Sequence, residues 1–155
     1  MQILQHWYLC LLAMSCGQST KIMLSMPYRL REFNLDDGSI QDFSSNWTRI
    51  EYSIDFDKHV FMYRASPMSD AILKFRYPLD DLKEVLTHTI FANMSVDLAV
   101  DPVADHLYWV EYDYKGRIQR SDLNGTNVIT VLSLEFLSTL DIDVNNSFVI
   151  VPHCI

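Results

Sequence analysis

The sequence predicts an all-β chain of repeated four-stranded units, on three observations. A short apolar stretch ending in Asp recurs three times, as Ile54-Asp55-Phe56-Asp57, Leu98-Ala99-Val100-Asp101 and Leu140-Asp141-Ile142-Asp143, with starts 44 and 42 residues apart. Glycine turns, Asp37-Gly38 and Asn124-Gly125, close two later segments of the unit, and such dipeptides mark tight β-hairpins. No segment holds the 3.6-residue periodicity of an amphipathic helix. Leu79 to Leu86 is long enough for one helical turn, but it falls where the unit calls for its outer hairpin.

The elements follow in order. Residues 1–17 carry no Asp, Glu, Lys or Arg, and Trp7 to Met14 is an unbroken apolar run of eight, with Ser15 and Gly17 behind it. That is the form of a secretory leader cleaved after Gly17, and the run is too short to span a bilayer; a buried N-terminal strand is the alternative. Export would leave Cys154 as the one remaining thiol. Four acceptor patterns for N-linked glycans, at Asn46, Asn93, Asn124 and Asn145, point the same way.

Each Asp-terminated tetrapeptide is followed by a turn and a second apolar run: Val60-Phe61-Met62-Tyr63, Leu107-Tyr108-Trp109-Val110 and Phe148-Val149-Ile150-Val151. A third element carries matching anchors at Leu30, Ile72 and Ile118, 42 and 46 residues apart. Val85-Leu86 and Val131-Leu132 supply a fourth. Four short strands at a period of forty-odd residues describe propeller blades. The units run 21–53, 54–97 and 98–139, with a fourth begun at 140–155.

Chemistry has little to stand on. His6, His59, His88, His106 and His153 show no zinc spacing, no nucleophile elbow or phosphate loop is present, and four glycines leave no glycine-rich cradle. No catalytic residue, cofactor or metal is expected. Asp57, Asp101 and Asp143 recur once per unit, as turn residues do and catalytic residues need not. Tyr108 and Trp109 are expected to pack between blades, whereas Tyr112 and Tyr114 flank Asp113 in the hairpin beyond. The net charge of −8, with no basic run, excludes a nucleic-acid partner and suits solubility or a basic protein partner.

Asp101-Pro102, then Leu107-Tyr108-Trp109-Val110-Glu111, Gly116-Arg117-Ile118 and Leu123-Asn124-Gly125 together resemble one repeat of the low-density-lipoprotein-receptor class B (YWTD) family. The opening strands, Ile22 to Met26 and Tyr28 to Asp36, resemble those of the LDL-receptor-related proteins, with the Wnt co-receptor branch the most similar. The resemblance spans residues 21–155 and is close over 97–132. It implies an incomplete six-bladed-type β-propeller of about three four-stranded antiparallel blades, where a full ring takes roughly 250 residues. It also implies a structural motif made of Asp57, Asp101, Tyr108, Trp109, Glu111, Ile118, Gly125 and Asp143.

Glu111 stands at the motif's acidic position, which in the family joins a polar network between blades. In the preceding unit Phe61-Met62-Tyr63-Arg64 stands in the corresponding place, and an arginine there offers no acceptor to such a network. The implied function is recognition of an extracellular protein, a secreted signal or lipoprotein-type cargo, with Glu111, Tyr112, Asp113 and Tyr114 as candidate contacts. Alternatives are a calcium-dependent propeller hydrolase using Asp55, Asp57, Asp97, Asp101, Asp105, Glu111 or Asp113, and a truncated secreted decoy. Membrane attachment would require an anchor downstream of this chain. An open arc of blades also exposes strand edges, through which copies would self-associate.

Overall fold

A computed structural model describes residues 10–16, 19–26, 29–43, 53–57, 61–66, 71–77, 90–91, 95–111, 116–135, 137, 139–146 and 148–150. These form fourteen strands and no helix. Blade 1 holds β1 (Cys10–Cys16), β2 (Ser19–Met26), β3 (Arg29–Asn34) and β4 (Ile40–Asp42). Blade 2 holds β5 (Ser53–Asp57), β6 (Phe61–Ser66), β7 (Ala71–Arg76) and β8 (Ile90–Phe91). Blade 3 holds β9 (Ser95–Asp101), β10 (His106–Glu111), β11 (Arg117–Asp122) and β12 (Ile129–Ser133), and a fourth sheet pairs β13 (Asp141–Asp143) with β14 (Phe148–Ile150). Each sheet is an antiparallel meander in chain order. This is the architecture of a partial β-propeller.

Alternation explains why the sheets stack. Side chains leave a strand to opposite faces, so each blade offers one apolar face to the blade before it and one to the blade after. Three buried cores result, one per junction. Met23, Leu30 and Phe43 of blade 1 meet Ile54, Phe56, Phe75 and Tyr77 of blade 2. Tyr63 and Ile72 of blade 2 meet Leu98, Val100, Leu107 and Trp109 of blade 3. Ala99, Val110 and Ile118 of blade 3 meet Leu137 and Leu140, with Ile142 and Val149 packed alongside.

The structure corrects the alignment of the units. Phe61 lies opposite Asp57 just as His106 lies opposite Asp101, so Tyr63, not Phe61, takes the place of Tyr108. By the same register Arg64 takes the place of Trp109 and Ser66 that of Glu111. The sequence alignment slid blade 2 by two residues, which leaves every side chain on its proper face and so escapes an argument from alternation. Phe148 pairs with Asp143 and likewise matches His106, one place from the sequence alignment.

Residues 10–16, at the heart of the expected leader, lie in β1 and pair along their whole length with β2. The unit expected at 21–53 thus has its inner strand upstream of residue 21. An uncharged apolar stretch serves a leader or an inner strand equally well, and composition cannot separate them. No helix of the described residues is long and apolar enough to cross a membrane.

Candidate binding surface

Connections emerge alternately at the two ends of the blades. At one end lie the β9–β10 and β11–β12 turns, joined where the Leu123 amide donates to the Asp105 carbonyl (3.1 Å). Here Asp101 and Asp143 are spent on their own turns. Asp101 accepts from the amides of Val103 (3.0 Å) and Ala104 (2.9 Å), and Asp143 from those of Asn145 (3.1 Å) and Asn146 (3.2 Å). The Asn146 side chain also donates to Asp143, and these bonds hold the Asp143 carboxyl below the usual range. A side chain that closes a turn in this way mimics a backbone hydrogen bond. One Oδ of Asp57 has no partner among the described residues.

Gly125 completes the β11–β12 turn with φ +83°, a conformation that a side chain disfavours, and Ile118 is buried in the third junction. Trp109 is fully buried between blades 2 and 3, and Tyr108 packs on the opposite face toward the fourth sheet.

At the other end, the β10–β11 hairpin was expected to carry the contacts. Glu111, opposite Arg117 in the register, is buried and accepts from Trp109 Nε1 (3.2 Å), Arg117 (3.1 Å) and Gln119 (3.3 Å). All three donors belong to blade 3, so its network closes the base of its own hairpin rather than bridging blades. Antiparallel pairing sets Arg117 directly across from it. Gly116 (φ +58°) follows, and a Cβ there would meet the Leu134 carbonyl at 2.7 Å. Tyr112, Asp113 and Tyr114 lie outside the described residues, as do Asn46, Asn93 and His59. Asn124 and Asn145 are exposed in turns.

Polar bridges between blades come instead from residues assigned no such role by the sequence. Asp55 accepts the Val100 amide (2.6 Å), and Ser53 Oγ donates to the Leu98 carbonyl (3.4 Å). Asp97 accepts the Thr139 hydroxyl (2.6 Å) and the Leu140 amide (2.9 Å). Burial pushes the Asp55 carboxyl up to about 6, and its two backbone donors, Val100 and Phe56, only partly oppose that rise. The signal that would have found them is spacing: Ser53 and Asp97 each precede the recurring tetrapeptide and reach the first residue of the next one. Among the described residues no three His, Cys, Asp or Glu side chains converge to hold a metal.

No family model and no curated protein matches the chain. Solved structures do resemble it. A chain of a nidogen/laminin complex superposes with a TM-score of 0.72 at 17% identity, over 84% of this chain and 51% of that one. A lactonase-like chain from Bacteroides uniformis, described as a putative 6-phosphogluconolactonase, gives 0.64 at 17% identity, over 94% and 47%. Kuenenia stuttgartiensis hydrazine synthase gives 0.64 at 10% identity, over 84% and 38%. The chain spans about half the length of the first two. Identity this low establishes the β-propeller fold and nothing of function.

Proposed function

We propose that the chain is an extracellular protein-binding propeller module of the LDL-receptor-related type and performs no catalysis. The observation that carries this reading is that four acidic residues of the repeating strands and turns are committed to architecture. Asp101 and Asp143 cap turns, while Asp55 and Asp97 bind the backbone of the next blade. What remains for function is loop surface. The nidogen chain, solved with laminin, supports a protein-binding role for a propeller of this shape.

The contact surface in this reading is the segment joining β10 and β11, which carries Tyr112, Asp113 and Tyr114, with the Glu111–Arg117 pair closing the strand ends on either side. Glu111 is a positioning residue, since its carboxylate is buried. The partner is a secreted signal of the Wnt type or a lipoprotein-type particle, and the chain reaches it by export behind residues 1–17, whose removal takes β1 from blade 1 and leaves β2 as its innermost strand. N-terminal sequencing of the secreted product tests the leader: a start at Gln18 supports it and a start at Met1 ends it.

The binding test uses the glycosylated chain immobilised against a secreted Wnt-class signal, lipoprotein particles and a laminin fragment. One of these binds, and the Tyr112→Ala, Tyr114→Ala double variant loses at least tenfold in affinity while its unfolding curve is unchanged. Equal affinity of the double variant removes the hairpin from the site; failure of all three probes removes the receptor reading.

A further inference from the structure

We propose that Asn124 carries an N-linked glycan whose structural task is to shield the outer edge of β12 from pairing with another chain. The inference rests on export as proposed above, and begins from the outermost strands of the blades. An outer strand has one edge of unpaired N–H and C=O groups, and proteins blunt such edges with charge, proline, brevity or cover. Blade 1 does so: β4 has three residues, one of them Asp42, held by Arg31 (3.0 Å). Blade 2 keeps β8 to two residues.

Blade 3 differs. β12 is five residues long, Ile-Thr-Val-Leu-Ser, without charge or proline, and every residue is exposed. Val128, Ile129, Val131, Leu132 and Leu134 are 38–51% exposed, which makes this the largest run of bare aliphatic side chains among the described residues. Its one irregularity is a register shift opposite Ile118 and Gln119. A long, uncharged, apolar edge of this kind is an aggregation site unless something covers it.

The acceptor site lies at its head. Asn124 is exposed in the turn that leads into β12. Its Oδ1 accepts from the Thr126 amide (3.0 Å) and the Thr126 hydroxyl (2.6 Å). Both bonds span two residues, so their geometry does not depend on sheet pairing. A donor on Oδ1 draws density from the amide and eases loss of an Nδ2 proton. In the transfer, Nδ2 attacks the anomeric carbon of a lipid-diphosphate-linked oligosaccharide. The new C–N bond forms as the C–O bond to the lipid diphosphate breaks, the diphosphate leaves, and the displaced proton goes to a base of the transferase. The folded turn accommodates the product because Asn124 faces solvent. A branched oligosaccharide rooted there is comparable in size with β12, whose five residues extend for roughly 17 Å.

The test is run on the whole chain in glycosylating cells, once with its own N terminus and once behind an appended secretory leader. Glycopeptide mass spectrometry reads occupancy at Asn124, and sedimentation reads association. Occupancy is expected behind the appended leader, and native enzymatic removal of the glycan is expected to shift the folded protein to larger species. Asn124→Gln makes the same shift, Asn145→Gln loses a glycan without it, and adding Val131→Lys to Asn124→Gln reverses it by charging the edge. Occupancy only behind the appended leader overturns export and with it the glycan on the native chain, whereas occupancy in both forms with an unchanged size after deglycosylation overturns the shielding role alone. An empty Asn124 in both forms, or an unchanged size after deglycosylation, overturns the proposal.

Discussion

The junction between blades 1 and 2 and the junction between blades 2 and 3 solve one problem with different parts. Both bury an apolar core between stacked sheets. At the second junction the polar links run from side chain to backbone: Asp55 to the Val100 amide, Ser53 to the Leu98 carbonyl, and Tyr63 OH to the Leu123 carbonyl (3.4 Å). At the first, among the described residues, the link runs from side chain to side chain: Tyr77 OH of blade 2 donates (2.5 Å) to buried Glu32 of blade 1, which Lys21 of the same blade also binds (2.7 Å). A backbone partner is supplied by any sequence, so such a link needs one suitable residue per blade. The Glu32 cluster needs three residues to coincide. Links of the first kind can therefore recur around a propeller, and those of the second kind mark one junction.

The largest effect is expected from emptying the second core. Trp109 is fully buried against Tyr63, Ile72 and Leu98, and its indole N–H also serves Glu111. Trp109→Ala should cost about 3–5 kcal/mol and leave the Glu111 carboxylate short of a donor. Because blades are coupled through their neighbours, unfolding in denaturant should lose cooperativity between blade 2 and blade 3 while blade 1 retains its junction with blade 2. A loss below about 1 kcal/mol would mean that the junction is not the load shared by these two blades.

What the sequence made legible follows the same division. Strand identity, the four-strand unit and the buried anchors Leu30, Ile72 and Ile118 were readable because alternation and period repeat in every blade. The register of blade 2 was not, since a two-residue slide preserves each face and only backbone pairing distinguishes Tyr63 from Phe61 as the partner of Tyr108. Asp55 and Asp97 were visible as carboxylates but not as bridges, because their partners are main-chain amides, which have no letter in a sequence. Glu111 was recognised as the motif's acid, yet its burial depends on Arg117 and Gln119 across a hairpin that alternation alone does not align.

A smaller effect separates the junctions by pH. Asp55 is raised from 3.8 to about 6 by burial, with Asp141 and Asp97 adding repulsion. Between those values the folded chain holds a proton that the unfolded chain has lost, so stability falls as pH rises through this window. The contribution is fully present below about 3.8, is gone above about 6, and amounts to on the order of 3 kcal/mol across the window. Asp55→Asn removes the titration, and the difference in unfolding free energy between the two proteins should slope between pH 4 and pH 6 and be flat above about 7. A flat difference throughout would place Asp55 in a wetter setting than the second junction provides.

The smallest effect tests the one-off cluster of the first junction. Tyr77→Phe keeps the ring, which stands edge-on to Phe56 at 5.2 Å, and removes only the hydroxyl that donates to Glu32. Glu32 retains Lys21, so the loss should be about 1–2 kcal/mol, near the value of a hydrogen bond to a charged group and short of an orphaned buried carboxylate. A double-mutant cycle with Lys21→Met distinguishes the two cases. If the donors act together on one carboxylate, the cycle shows coupling of about 0.5 kcal/mol or more. If the losses simply add, the two donors act on Glu32 independently, and the Tyr77 link does not rely on Lys21.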